Sequence, residues 1–222
     1  VEAVFIERAS RFTALVELDG HQVKAHIPTS SRAPDTLIPG QRVLISHQAR
    51  EGRSTSYDLI LSELPSSLVC IDSRVPNKLI GRLLVQSALP EFEGWSVVRP
   101  EAALGESRID FMLSKGDARC WVEVKSVTLV REGVALFPDA VTGRGARHLG
   151  ELARAKRAGD RAAAVFVVQR GDAELFSPNR VVDPEFARAL EEAAGCGVEV
   201  YAHRCAVTPE GIWVEARLPV RL

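Results

Sequence analysis

Four cysteines in 222 residues, Cys70, Cys120, Cys196 and Cys205, are too few and too scattered to frame a fold. No Cys-x-x-Cys pair occurs and each thiol lies in or near an apolar segment. They read as buried reduced thiols, which excludes a disulfide scaffold and a zinc site. Also absent is any run near the ~20 consecutive apolar residues of a membrane helix, and Val1-Glu2-Ala3-Val4-Phe5 lacks the basic-then-apolar order of a secretory signal. These absences predict a cytoplasmic chain with no membrane partner. Net charge is scarce too: 28 Lys and Arg against 29 Asp and Glu leave −1. That excludes coating a polyanion by global attraction and leaves local patches as the route to nucleic acid. With 46% hydrophobic and 26% charged residues, the chain has the composition of a globular protein of one large or two small domains.

Apolar patterning divides the chain. Val4 to Ile6, Phe12 to Leu18 and His21 to Ile27 alternate as strands, the last two joined by the hairpin signal Asp19-Gly20. A Pro/Ser/Thr-rich stretch runs from Pro28 to Pro39. Gln41 to His47, Tyr57 to Leu64 and Leu68 to Asp72 add short strands, the last pair turning at Pro65-Ser66. This pattern predicts a small β-barrel, OB-like, over residues 1–75. Pro76 marks the boundary, because Leu79, Ile80, Leu83, Leu84 and Ala88 then recur at helical spacing. Residues 76–222 read as a three-layer α/β domain. Its elements are a strand at Trp95 to Val98, a hairpin, a helix from Asp139 to Gly159 capped by Asp139 or Thr142, and a buried strand at Ala162 to Gln169. A helix at Pro184 to Ala194 capped by Asp183 and strands at Val198 to Ala202 and Ile212 to Ala216 complete it.

The chemistry concentrates in the hairpin. If Gly116-Asp117 is its turn, Lys115 pairs with Ala118, Asp110 faces Glu123 and Arg108 faces Lys125. Alternation then puts Ile109, Phe111, Leu113, Cys120, Val122 and Val124 on one face and Arg108, Asp110, Met112, Trp121, Glu123 and Lys125 on the other. Two carboxylates directly across a ladder repel. A divalent cation such as Mg²⁺ removes that objection, since it takes one or two protein carboxylates plus phosphate oxygens. Asp, a spacer, then Glu-x-Lys is the minimum for metal-dependent phosphodiester hydrolysis, with the lysine serving the nucleophile or the developing charge. The plain alternative is a half-solvated strand pair carrying a surface ion-pair cluster.

A resemblance rests on several separated motifs. Ser107-Arg108-Ile109-Asp110-Phe111, Val122-Glu123-Val124-Lys125-Ser126-Val127-Thr128-Leu129, Phe137-Pro138-Asp139-Ala140-Val141-Thr142, Arg144-Gly145-Ala146-Arg147-His148-Leu149, Phe176-Ser177-Pro178, Gly197-Val198-Glu199-Val200 and Leu218-Pro219-Val220-Arg221-Leu222 follow one another along most of the chain. In these the chain resembles the sugar fermentation stimulation protein A family. The resemblance implies an N-terminal OB-fold domain followed by a domain like PD-(D/E)XK nucleases, DNA binding, and a role in regulating sugar metabolism. It assigns Asp110, Glu123 and Lys125 to the catalytic signature, Asp110 and Glu123 to the metal, and Glu101 to a further candidate acid. Two departures stand out. Pro28-Thr29-Ser30-Ser31-Arg32 replaces a Pro-Asn-Thr-Gly stretch, and Thr142-Gly143-Arg144-Gly145 lacks the glutamate of Thr-Glu-Arg-Gly, for which Asp139 is the available substitute.

A basic patch follows the hairpin. Arg144, Arg147, Arg154, Lys156, Arg157 and Arg161 stand against Glu151 and Asp160, with His148 in addition. Such clusters are commonly solvated faces; here the position after the hairpin points to the phosphate backbone, with Arg108, Arg144, Arg147, His148 and Arg154 as DNA-binding candidates. His148 alone would more commonly be a solvated helix residue, and Trp121 would either stack on an unpaired base or pack against a helix. His21, His26 and His47 have no metal spacing. The expected activity is a Mg²⁺- or Mn²⁺-dependent nuclease with DNA as partner. The alternative is a non-catalytic DNA-binding regulator of sugar metabolism on the same scaffold. Strandedness and oligomeric state, a homodimer included, stay open.

Overall fold

The computed structural model describes residues 1–29, 31, 35–48 and 55–222. Ser30 and Arg32 of the departing Pro28–Arg32 stretch lie outside the described residues.

Six strands, β1 (Glu2–Ser10), β2 (Thr13–Leu18), β3 (His21–His26), β4 (Arg42–His47), β5 (Tyr57–Glu63) and β6 (Leu68–Cys70), form a sheet in the order β3-β2-β1-β4-β5-β6. Parallel pairing of β3 with β5, Ala25↔Tyr57 and His26↔Asp58, closes it into a five-stranded, OB-like barrel. Asp19 and Gly20 both have positive φ, 50° and 76°, as a two-residue turn that matches strand twist requires. Every second residue of β2 turns inward: Ala14 and Val16 join Phe5, Ala25, Ile45 and Leu59 in one apolar centre.

The remainder is a mixed α/β structure. Its helices are α1 (Val75–Val85), α2 (Gly143–Arg157) and α3 (Pro184–Gly195). Its main strands are β7 (Ser96–Leu104), β8 (Ser107–Lys115), β9 (Ala118–Val127), β12 (Arg161–Val168), β14 (Glu199–Thr208) and β15 (Gly211–Leu218), in the order β15-β14-β12-β9-β8-β7. The centre is parallel, β9 to β12 to β14. Ala162 to Val168 of β12 are all 0% exposed because helices cover both faces. One face packs α2 and α3 residues Leu149, Leu152, Phe186 and Leu190 against Phe166, and the other packs Ile80 and Leu84 of α1 against Val165 and Val167.

Several expected boundaries shift for identifiable reasons. Pro76 starts α1 from its first turn, where its missing N–H costs nothing. β7 runs through Pro100 to Leu104 because it is an edge strand, where proline is tolerated. α2 begins at Gly143, not Asp139: Thr142 Oγ1 accepts from Gly145 N at 3.1 Å, while Asp183 accepts from Thr142 N at 2.7 Å and from Phe186 N at 2.9 Å, so one carboxylate ties the starts of α2 and α3 together. A small sheet of β10 (Leu129–Arg131), β11 (Val134–Phe137) and β13 (Leu175–Pro178) went unanticipated, since strands of three or four residues show no period and β11 pairs with β13 across the chain.

Candidate metal and nucleic-acid site

The hairpin turn is as expected, with Gly116 at φ 59° and Lys115 paired with Ala118. The ladder, however, runs only to Phe111↔Val122. Beyond it β8 stays with β7, so Arg108 pairs with Ala103 and not with Lys125. The predicted face also breaks: Phe111 packs on the α1 side, whereas Ile109 lies in the α2-side core. The break coincides with Glu101 on β7, which lies between the pairs Pro100↔Phe111 and Ala102↔Ile109 and has φ 51°, a left-handed residue inside a strand. Asp110 sits where the two strands part. Its Oδ2 accepts from Val124 N at 2.7 Å, replacing the lost main-chain partner, and its Oδ1 accepts from Asn77 Nδ2 of α1 at 2.6 Å.

Glu123 is 3% exposed, between β9 and α2. Its Oε1 accepts from Lys125 Nζ at 2.5 Å and pairs with His148 Nδ1 at 2.5 Å. Arg144 Nε donates to His148 Nε2 at 3.3 Å, so Nε2 is the acceptor and Nδ1 carries the proton given to Glu123. Glu123 Oε2 is buried and has no hydrogen-bond partner among the described residues. Burial would push the Glu123 carboxyl up, but the bond from His148 and the Lys125 ammonium outweigh it and hold the group below its ordinary value. Burial, then repulsion from Glu123, pushes Asp110 up to about 6.

Asp110, Glu123, Lys125, Asn77, Asp139 and Arg144 line one cleft of about 510 Å³. Its far wall comes from the barrel, through Arg11, Thr29 and Ser31. Ser31 Oγ donates to Asp139 across that gap. Other expected members lie elsewhere. Glu101 and Arg108 are exposed and do not line the cleft. Arg147 and Arg154 line a separate hollow of about 430 Å³ between α2 and α3, and Arg154 pairs with Glu151. His148 is 2% exposed, a buried partner of Glu123 and not a solvated helix residue. Trp121 is packed in the α2-side core with Nε1 donating to Asp160 at 2.8 Å, which removes it as a stacking surface for a base. Sequence reasoning missed Asn77 and the barrel residues. It also misread His148, although His148, Leu149, Leu152 and Ala155 recur at the spacing of one helix face and so pointed inward.

The donor set suits a hard divalent cation. It offers two carboxylates, one with an orphaned buried oxygen, and no sulfur. Among the described residues no group of three or more His, Cys, Asp or Glu is arranged to hold a metal, and Asp110 and Glu123 stand in the cleft as a pair of carboxylates. Two are enough where water and phosphate oxygens complete the shell.

Comparison with known proteins agrees with this architecture. The family model for the "Sugar fermentation stimulation protein RE domain" matches residues 74–211, and that for the "SfsA N-terminal OB domain" matches residues 6–71. A sugar fermentation stimulation protein homolog of Desulforamulus reducens is 44% identical over 222 residues, covering 100% of this chain and 92% of its own. A homolog of Chloroflexus aurantiacus is 44% identical over 220 residues, covering 99% and 85%. The solved structure of Pyrococcus furiosus SfsA in complex with Ca²⁺ superposes with a TM-score of 0.91 at 31% identity, covering 100% of this chain and 95% of that one. With both halves matched and the site in place between them, the chain belongs to the sugar fermentation stimulation protein family.

Proposed function

We propose that the cleft binds DNA and hydrolyses a phosphodiester with Mg²⁺ or Mn²⁺ held by Asp110 and Glu123, residues 1–75 acting as a nucleic-acid-binding barrel and residues 76–222 as the nuclease-like domain. The observation that carries this reading is Glu123: a carboxylate 3% exposed, with one oxygen held by Lys125 and His148 and the other without a partner among the described residues. A buried acceptor with no donor is costly, and a protein that only grips DNA has no use for carboxylates next to the phosphates. A divalent ion here supplies charge neutralisation of the phosphate and a bound water of lowered pKa. The residues do the rest. Asn77 and Val124 N fix the Asp110 carboxylate, and His148 fixes Glu123 with its proton on Nδ1. Lys125, on the same face, is placed to exchange its contact with Glu123 for one to the attacking water or the charged phosphoryl oxygens. Arg144, at the α2 start and on the cleft wall, provides a guanidinium for a backbone phosphate.

Incubation of the purified chain with plasmid, linear duplex and single strands in Mg²⁺, Mn²⁺ or chelator tests this. Metal-dependent cleavage is expected, falling on the order of 10²-fold in Lys125→Ala and below detection in Asp110→Ala, with binding retained. A second reading, a DNA-binding regulator that does not cleave, has its own support. Among the described residues no third acid completes the pair, Gly143 stands where the family resemblance implies a glutamate, and the substitute Asp139 is engaged by Ser31. Binding with no cleavage in any metal would select it.

A further inference from the structure

The barrel wall of the cleft ends in a feature that the metal chemistry does not use. The turn between β1 and β2 consists of Arg11 and Phe12. Arg11 lines the cleft, and its guanidinium lies 5.2 Å from the centroid of the Phe12 ring, which is 43% exposed. His26, the last residue of β3, adds a third planar group, with its ring centroid 6.3 Å from that of Phe12 and the planes 33° apart. The turn is held firmly. Arg8 donates to Arg11 O at 2.6 Å and to Ser31 O at 2.8 Å, and Phe12 O accepts from Ile27 N at 2.9 Å with His26 Nδ1 3.1 Å away. A lone exposed phenylalanine on a protein surface is ordinary. This one is braced on a fixed turn, flanked by a cation and an imidazole, and set beside the cleft that holds Asp110 and Glu123. Among the described residues no carboxylate pairs with Arg11.

We propose that Arg11, Phe12 and His26 form a stacking step for an unpaired base, so that the strand led into the cleft is single-stranded beside the bond to be cut. The chemistry is that of sequence-tolerant single-strand binding: an aromatic face takes a base of any identity, while an adjacent guanidinium takes its phosphate or covers its other side. A base inside a duplex has both faces occupied by its neighbours and has nothing to offer Phe12. Where the strand then leads rests on the hydrolytic reading of the cleft; the stacking itself does not.

The test uses the full chain with Ca²⁺, a fluorescein-labelled dT15 strand and a hairpin duplex of the same number of phosphates, read by anisotropy. Phe12→Leu keeps apolar bulk and removes the π face. It is expected to weaken dT15 binding about ten-fold while leaving the duplex within about two-fold, and Phe12→Trp is expected to restore dT15 affinity. Thermal midpoints of both variants, expected unchanged for an exposed side chain, verify folding. Unchanged dT15 affinity in Phe12→Leu, or equal losses on strand and duplex, overturns the proposal. Cleavage by the wild type in Mn²⁺ is measured in parallel. If it is absent while the Phe12→Leu effect persists, the hydrolytic reading fails and the stacking step stands; if cleavage is present and Phe12→Leu binds normally, the step fails and hydrolysis stands.

Discussion

Asp110 holds its place at a cost that depends on pH. Below its ordinary value of 3.8 the carboxyl is protonated whether the chain is folded or not, and burial costs nothing. Because its folded value is pushed up to about 6, stability falls as pH rises between those limits, and the full penalty applies above about 6. Two units at 1.36 kcal/mol each set an upper bound of about 3 kcal/mol. Asp110→Asn removes the penalty, and an amide flip of Asn77 lets both of its contacts survive. In chelator the variant is expected to be more stable than the wild type by about 1–3 kcal/mol at pH 8 and equal near pH 4, by urea unfolding. A divalent cation should reverse the order at pH 8 by stabilising only the wild type. His148 is expected to act on the neighbouring Glu123 carboxylate through its Nδ1 proton. His148→Ala should weaken Mn²⁺ binding about ten-fold by calorimetry, whereas His148→Asn, whose amide can reproduce that donor, should keep most of it.

The basic residues of α2, expected together on the phosphate backbone, are divided by the helix among different surroundings. α2 turns His148 and Glu151 inward, Arg144 toward the cleft, and Arg147, Arg154 and Arg157 toward the hollow beside α3. Arg144→Glu is therefore expected to lower both DNA affinity and cleavage. Arg147→Glu should lower affinity on all sequences and reduce the salt slope by about one, with the cleavage rate at saturating DNA unchanged. Affinity measured from about 50 to about 200 mM salt checks the slope, and the cleavage rate at saturating DNA distinguishes the two. The elements also show where a sequence is legible. β12 was evident as a run of buried apolar residues, and Asp183-Pro184 marked the start of α3, because each signal is local. The parting of β8 from β9 was not, because the ladder break at Asp110 is compensated by Val124 N and Asn77, 14 and 33 residues away, and lies opposite a left-handed Glu101 whose residue type gives no warning.

At the scale of the whole molecule, the cleft exists only because the barrel is fastened to the sheet. Its walls join Ser31 to Asp139, 108 residues apart, and no periodicity reports such a contact. The fastening lies at the end of β12. Gln169, 0% exposed, gives its Nε2 to Cys70 O at 3.1 Å and to Ser126 Oγ at 3.0 Å, while Cys70 N donates to Gln169 O at 3.0 Å. Beside it Ser66 of the barrel donates to Asp172 at 2.8 Å, and Gly171 N to Ser67 Oγ at 3.0 Å. Polar groups shared so closely across the junction should make barrel and α/β domain unfold together, giving one calorimetric transition whose van't Hoff and calorimetric enthalpies agree. Gln169→Leu keeps the bulk but leaves the side-chain bonds to Cys70 O and Ser126 Oγ unmade at a buried site, a cost of about 2 kcal/mol. For a chain of this size that lowers the midpoint by about 4–8 °C. If the fastening also sets the cleft, the same variant should bind dT15 more weakly while each half keeps its circular dichroism. Two separate transitions in the wild type would instead mean that the halves unfold independently and that these junction bonds do not couple them.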